Sequence, residues 1–476
     1  MKKFNKIIYI GGILLFSLVG CEKDFLDTNP GEYAGTDQLK TSPIAGEAAL
    51  SGLYSFMFDQ SLSGRDDYFG LASISITTDL IGKDMVQVLH HWLGWDYLIE
   101  NRSAGYSRTR NNWNFLYRII STSNSIIQVS SIDSEVESIK FSGGQALAMR
   151  AFAYHYLVRL YQHTYIGHED ELGVPLYLED DVDGKPRATV REVYAQMVMD
   201  LEKSIIALEG FNRSNKTIIN QSVAQGILAR VYLDMGEWQK AATVAADAQE
   251  GFPLMTGTEY LDGFNDINNA EWLWGSDMTV ESFNEEGKYQ SFFSHIATDI
   301  PGYAGIIGAY KAIDKGLYDM IPTSDVRKNA YYANYYNNKY VDANGDFASD
   351  IVYMRAAEMY LIVAEAKAQL GNSDAAQILM DIVKTRDSEY VLSTSTGTAL
   401  IDEIWNQRRI ELWGEGFSWF DLKRLKKGFT RDYPDTNHRP DALLTKEAED
   451  QSTFVYQLPI GEFESNPNLP ENQQNN

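Results

Sequence analysis

Cysteine is almost missing from this chain: among 476 residues there is one, Cys21. No intramolecular disulfide can form, so a protein of this length must hold itself together by packing. Positive charge is scarce too, with 41 Lys and Arg against 66 Asp and Glu and a formal net charge of −25. A surface of that sign repels phosphate backbones and anionic headgroups, which argues against nucleic acid and peripheral membrane binding. G-x-G-x-x-G, a phosphate-cradling glycine-lysine loop and G-x-S-x-G are all absent. The seven His are scattered without an H-E-x-x-H, and the adjacent His90 and His91 point apart in either regular structure. The sequence therefore indicates no metal and no cofactor.

Long apolar runs are also few. The most telling one, Ile7 to Cys21, follows Lys2, Lys3 and Lys6 and is too short to span a bilayer as a helix. A basic start, an apolar stretch and a small residue before cysteine make a secretory signal, and Leu18-Val19-Gly20-Cys21 has the form of a bacterial lipobox. The expected mature chain begins at Cys21, whose thiol carries a diacylglyceryl group, with an acyl group on the new amino terminus as the second anchor. The alternative, a signal with an accidental cysteine, requires the one cysteine of the chain to fall by chance on the modified position.

What is present is an ordinary globular composition, 44% hydrophobic and 22% charged, with 12% aromatics that include 29 Tyr and 9 Trp. Apolar residues recur at helical spacing from Ser42 to Met57, from Asn112 to Ile132 and from Ala148 to Tyr161. Ala229 to Ala241 and Ala364 to Ala376 share one pattern, in which a small residue lets two helices approach, a glycine ends the first and an alanine sits under the second. That is tetratricopeptide logic, with long insertions between the helix pairs. Between about residues 60 and 111, and again between 252 and 350, the helical period fades and Gly, Asn, Asp, Tyr and Trp accumulate. Asn344-Gly345 reads as a tight hairpin turn, and Glu271-Trp272-Leu273-Trp274 alternates like a strand whose two Trp share a face.

Laid end to end, these features resemble the SusD/RagB-type nutrient-binding outer-membrane lipoproteins of Bacteroidetes. The resemblance rests on Cys21 with Phe25-Leu26-Asp27 and Pro30, Trp113-Asn114 with Tyr117, Ala146 to Tyr161 leading to Gly173-Val174-Pro175, and Arg187-Ala188-Thr189-Val190. Its most specific blocks are Tyr353 to Ala366 and Arg408 to Phe417 with Trp419-Phe420-Asp421-Leu422. It implies a mainly α fold, with tetratricopeptide-like helix pairs supporting an irregular, loop-rich lobe that contains small β-hairpins. The implied organisation is a signal peptide at 1–20 and one domain at 21–476. Within that domain lie a tether at 21–41, helices within 42–58, 112–250 and 351–387, a ligand-binding lobe within 59–111 and 252–350, and a family block at 401–470. It also implies a lipid-anchored protein on the outside of the outer membrane, where Glu22 and Asp24 resemble an outward-display signal. There it would catch oligosaccharide or polysaccharide without cutting it and pass it to a SusC-like TonB-dependent transporter.

A sugar site needs aromatic faces for the axial C–H groups and polar partners for neighbouring hydroxyls. The stretch from Thr78 to Arg102 supplies both, through Asp79, Lys83, Trp92, Trp95, Tyr97, Asn101 and Arg102, with Tyr303 as part of a second arm. Against this stands the reading that Trp92 and Tyr97 pack onto the helices. Arg408, Arg409, Glu411, Glu415, Asp421 and Arg424 have the spacing of a structural ion-pair network rather than an acid–base site. Asp342, Asn344 and Asp346 open like a calcium loop, but Phe347 stands where glycine is needed, which favours a plain Asx-rich turn. Two rival functions are a surface glycoside hydrolase, which needs a carboxylate pair flanking one bond, and a tetratricopeptide adaptor for peptide tails.

Overall fold

Small residues set the spacing of the helices. The computed structural model describes residues 43–58, 65–179, 183–283 and 287–475; the signal segment, Cys21 and the tether to residue 41 lie outside the described residues. Along the chain run α1 (Pro43–Phe56), α2 (Leu71–Ile81), α3 (Ser107–Val129), α4 (Glu137–Tyr161), α5 (Val190–Ala207), α6 (Gln221–Met235) and α7 (Trp238–Gln249). They are followed by α8 (Ala356–Gln369), α9 (Ala375–Val383), α10 (Thr398–Glu411) and α11 (Ser418–Arg424), with shorter helical turns between. The chain is mainly α.

Each helix from α3 to α9 packs on the next one. The two repeat copies, far apart in sequence, are neighbours, because α7 lies directly on α8 and the intervening residues are looped out. Ala229, Ala241, Ala245, Ala364 and Ala368 are buried where these helices approach. The glycines of both copies, Gly236 and Gly371, take a left-handed φ of 72°, which ends each first helix at no steric cost. Thr189 begins α5 with a reciprocal cap: its hydroxyl accepts from the Glu192 N–H at 3.2 Å, and the Glu192 carboxylate accepts from the Thr189 N–H at 2.8 Å.

Strands pair two by two and antiparallel: β1 (Met85–Gln87) with β5 (Lys311–Ile313), β2 (Leu172–Pro175) with β3 (Arg187–Thr189), β4 (Trp272–Ser276) with β6 (Ile351–Arg355), and β7 (Phe429–Thr430) with β8 (Thr445–Lys446). In the irregular lobe they are not local hairpins, since β1–β5 and β4–β6 join distant segments. Asn344-Gly345 turns with Gly345 at φ 72° but has no strand on either side. Asp342 closes that turn by accepting from the Phe347 N–H at 2.8 Å and the Ser349 hydroxyl at 2.5 Å, an Asx-type arrangement. Trp272 and Trp274 are both buried, yet register shifts in β4 part them. Trp274 joins the helical core, 5.1 Å edge-on from Phe152, while Trp272 joins the core of the lobe. Strand β4 thus ties the two cores together.

Where those cores meet, charge is buried on purpose-built partners. The Arg355 guanidinium reaches Glu271 at 2.7 Å, Glu411 at 2.8 Å and Glu415 at 2.8 Å. Arg386 and Arg327 also hold Glu411, at 3.0 and 3.1 Å, and Lys339 holds Glu415 at 2.7 Å. Burial alone would raise the Glu411 pKa, but Arg386, Arg355 and Arg327 hold it well below the usual carboxylate range. Arg408 pairs with Asp421 at 2.8 Å, Arg409 with Asp84 at 2.6 Å, and Arg424 with Glu365 and Asp421. The charged C-terminal block holds the fold.

Candidate functional site

Residues 85–106 are clamped from below before they present anything to solvent. Pairing of Met85 with Ile313 and Gln87 with Lys311 fixes one end, and the Gln87 amide donates to the carbonyls of Leu89 and His91 at 3.0 and 2.7 Å. The turn that follows forces Trp92 to φ 29°, a left-handed value that costs a residue with Cβ about 1–3 kcal/mol. Two backbone bonds hold it there, Gly94 N–H to His91 O at 2.7 Å and Trp95 N–H to Trp92 O at 3.2 Å. Trp92 is left half-buried, and Trp95, in the short helix Gly94–Tyr97, is 40% exposed.

Around Trp92 the aromatic surface widens. The Arg65 guanidinium carbon lies 4.9 Å from the Trp92 ring centre and 5.9 Å from that of Tyr106. Arg65 is fixed by two bonds to Asp67, at 2.9 and 3.0 Å, and by donation to the Ser107 hydroxyl at 2.8 Å. His91 meets Trp92 edge-on at 5.6 Å, and its Nδ1 is 2.5 Å from the Tyr303 hydroxyl. Tyr303 stacks on His295 at 4.6 Å, and His295 stacks on Phe69 at 5.0 Å. Trp92, Tyr106 and Tyr303, with Arg65 and His91, form a ledge from the two irregular stretches, and Trp95, three positions beyond Trp92, meets His90 edge-on at 4.8 Å.

Beneath the ledge the charges are neutralised or suppressed. Asp67 is shared by Arg65 and Arg108; burial raises its pKa, but the two guanidiniums win and hold it below normal. Burial pushes Asp96 up to about 7 despite Arg108 at 3.3 Å. Burial drives Lys311 down to about 7, and burial together with the Lys311 charge drives His295 to about 3. The floor is thus hydrogen-bonded, and the charges of Asp67, Arg65 and Arg108 are paired within it.

Of the expected ligand residues, the structure brings together Trp92 and Tyr303 through His91, and leaves Trp95 exposed beside His90. Asp79 is a correction: it lies inside α2, where its carboxylate accepts backbone N–H groups of Gly414, Gly416 and Ser418 at 2.9, 3.2 and 3.0 Å. Burial still pushes Asp79 up to about 7. Tyr97 is another: it is sealed against His438, with its hydroxyl 2.5 Å from Nδ1 and Arg431 over its ring at 4.5 Å. Asn101 is buried, and its carbonyl accepts from the Thr109 hydroxyl at 3.0 Å. Arg102 turns to the C-terminal segment and donates to Val455 O at 2.9 Å. Lys83 is half-buried, and its charge acts on Asp314 and His438 rather than on the ledge. Sequence reasoning missed Arg65, His91 and Tyr106. Only His91, next to Trp92, carried a local signal.

A stack of tetratricopeptide-like helix pairs with a ledge of rings on inserted loops defines a class, that of helical scaffold proteins with a grafted binding surface. A family model described as "Starch-binding associating with outer membrane" matches residues 70–233, and one described as "SusD family" matches residues 313–475. The "SusD-like protein P2" of Formosa agariphila is 27% identical over 487 residues, covering 90% of this chain and 92% of that protein. A "SusD-like protein" of Bacteroides ovatus is 25% identical and covers 86% of this chain and 80% of its own length. The crystal structure of a "SusD-like carbohydrate binding protein" from Bacteroides vulgatus superposes with a TM-score of 0.80 at 27% identity, over 91% of this chain and 98% of that one. The chain belongs to the SusD/RagB-like family.

Proposed function

We propose that this protein captures oligosaccharide at the outer membrane without cutting it and passes it to a SusC-like TonB-dependent transporter, held by a lipid on Cys21 and facing outward. The observation that carries the reading is the ledge: half-exposed rings of Trp92 and Tyr106 around a guanidinium, with Tyr303 joined through His91 and the exposed Trp95 nearby in the chain, on a floor that is already hydrogen-bonded. Flat rings stack on the C–H faces of sugars, and Arg65 and His91 offer polar edges to hydroxyls. The family model's association with the outer membrane and the carbohydrate-binding relative from Bacteroides vulgatus support the same reading. Asp67 and Asp96, beneath the rings, are buried against arginines, so neither is presented as half of a hydrolytic pair.

Each stacked ring contributes about 0.5–1.5 kcal/mol beyond burial, which gives the modest affinity suited to a protein that must release its cargo. Isothermal titration with a panel of neutral and anionic oligosaccharides tests this. Neutral glycans are expected to bind, Trp95→Ala to weaken binding several-fold and Trp92→Ala to weaken it further. Unchanged affinity in both variants would remove the ledge from the site, and sugar release by the purified protein would replace capture with catalysis.

A further inference from the structure

Helices α1 and α4 pack together, and along one edge of their seam serines alternate with larger side chains. Along α4, Ser138, Phe141, Ser142 and Gln145 fall at i, i+3, i+4 and i+7, one stripe of the helix. Leu50, Ser51, Tyr54 and Ser55 make the matching stripe on α1. Serines at a seam that would ordinarily be filled by Leu or Ile leave space, and here they leave a hollow of about 660 Å³. That volume lies within the usual range for small-molecule sites. The hollow shares no lining residue with the ledge.

Aromatic rings line it. Phe141 and Phe211 stand 4.7 Å apart, and Tyr353 stands 5.2 Å from the buried Trp274. At its floor Gln145 is only 6% exposed. The Gln145 carbonyl accepts from the Tyr54 hydroxyl at 2.7 Å, and that hydroxyl accepts from the Ile219 N–H at 3.1 Å, so the amide is held in one orientation. Its Nε2 donates to no described residue and opens on the hollow, where the oxygen of a guest can take the place of water as its acceptor. Glu47, Glu137 and Asp277 also line the hollow, where among the described residues no Lys or Arg does, the nearest cationic influence being that of Arg213 on Tyr54.

We propose that this hollow is a second binding site, which takes a sugar of one or two rings carrying no negative charge. The paired rings offer C–H contacts, Gln145 Nε2 donates to a ring or hydroxyl oxygen, and the carboxylates accept from outward hydroxyls while repelling uronates and phosphates.

The test uses the Trp92→Ala/Trp95→Ala double variant of the full protein, in which the ledge is disabled. Calorimetric titration with maltose, cellobiose, xylobiose, glucosamine and glucuronate should leave saturable binding of at least one uncharged or amino sugar, with none of glucuronate. Adding Gln145→Leu should weaken that residual binding tenfold or more. Ser51→Trp blocks the hollow from an exposed lining position without touching the core, and it should do the same while the melting temperature holds. No residual binding, binding of glucuronate alone, or residual binding indifferent to both Gln145→Leu and Ser51→Trp would overturn the second site. Binding in the ledge variant that equals the wild type and still falls with Gln145→Leu and Ser51→Trp would uphold the hollow and remove the ledge instead.

Discussion

At the level of single residues, exposure separates the aromatics that can meet a ligand from those that cannot. Trp92 and Tyr97 stand five positions apart in one loop, yet one rests on an arginine at the surface and the other is sealed on His438. Nothing in residue type distinguishes them. Lys311 is the residue with the clearest pH signature. Its ammonium is buried and, among the described residues, donates only to the carbonyls of His295 and Ala309, at 3.1 and 3.0 Å, so burial lowers its pKa from 10.5 to about 7. Between those values the unfolded chain binds the extra proton, so stability rises with pH across that window, and the full penalty applies below pH 7. Lys311→Met is expected to flatten this slope in denaturant melts at pH 6 and pH 9.5, gaining more on the wild type at the lower pH. A slope unchanged by the substitution would assign the effect elsewhere.

Among the elements, α2 shows why part of the lobe escaped sequence reasoning. All of its residues but Ser75 are buried, so it has no polar face and no amphipathic period, and its Ile and Thr content suits a strand as well as a helix. Arg431 fastens its end by donating to the carbonyls of Leu80, Ile81 and Gly82, groups that a helix C-terminus leaves unpaired. The tetratricopeptide pairs, by contrast, were legible, because their alanines and stop glycines act within one turn of the chain. Thr189→Ala removes the reciprocal cap of α5 and should cost about 1 kcal/mol in urea unfolding. Arg355→Met removes the one cation that Glu271, Glu411 and Glu415 share at the joint of the two cores, and it should cost about 3–5 kcal/mol. A loss under 1 kcal/mol there would mean the remaining arginines neutralise the cluster unaided.

For the molecule as a whole, the proposed role needs an anchor and a partner. Cys21→Ser is expected to abolish incorporation of labelled palmitate and to release the protein from outer-membrane fractions, and retention of label would refute the anchor. Affinity purification of the native protein should recover a β-barrel transporter. The sequence by itself determined the helix pairs, their glycine stops, the structural character of the charged C-terminal block and the absence of disulfide support. Each of these is written within a few turns of chain, where spacing relative to a helix axis records burial. Only the tertiary structure decided that α7 lies on α8, that register shifts part Trp272 from Trp274, and that Tyr303 meets His91 from 212 positions away. Contacts between distant segments leave no periodic trace in either one, so the ledge exists only once the insertions have been folded onto the frame.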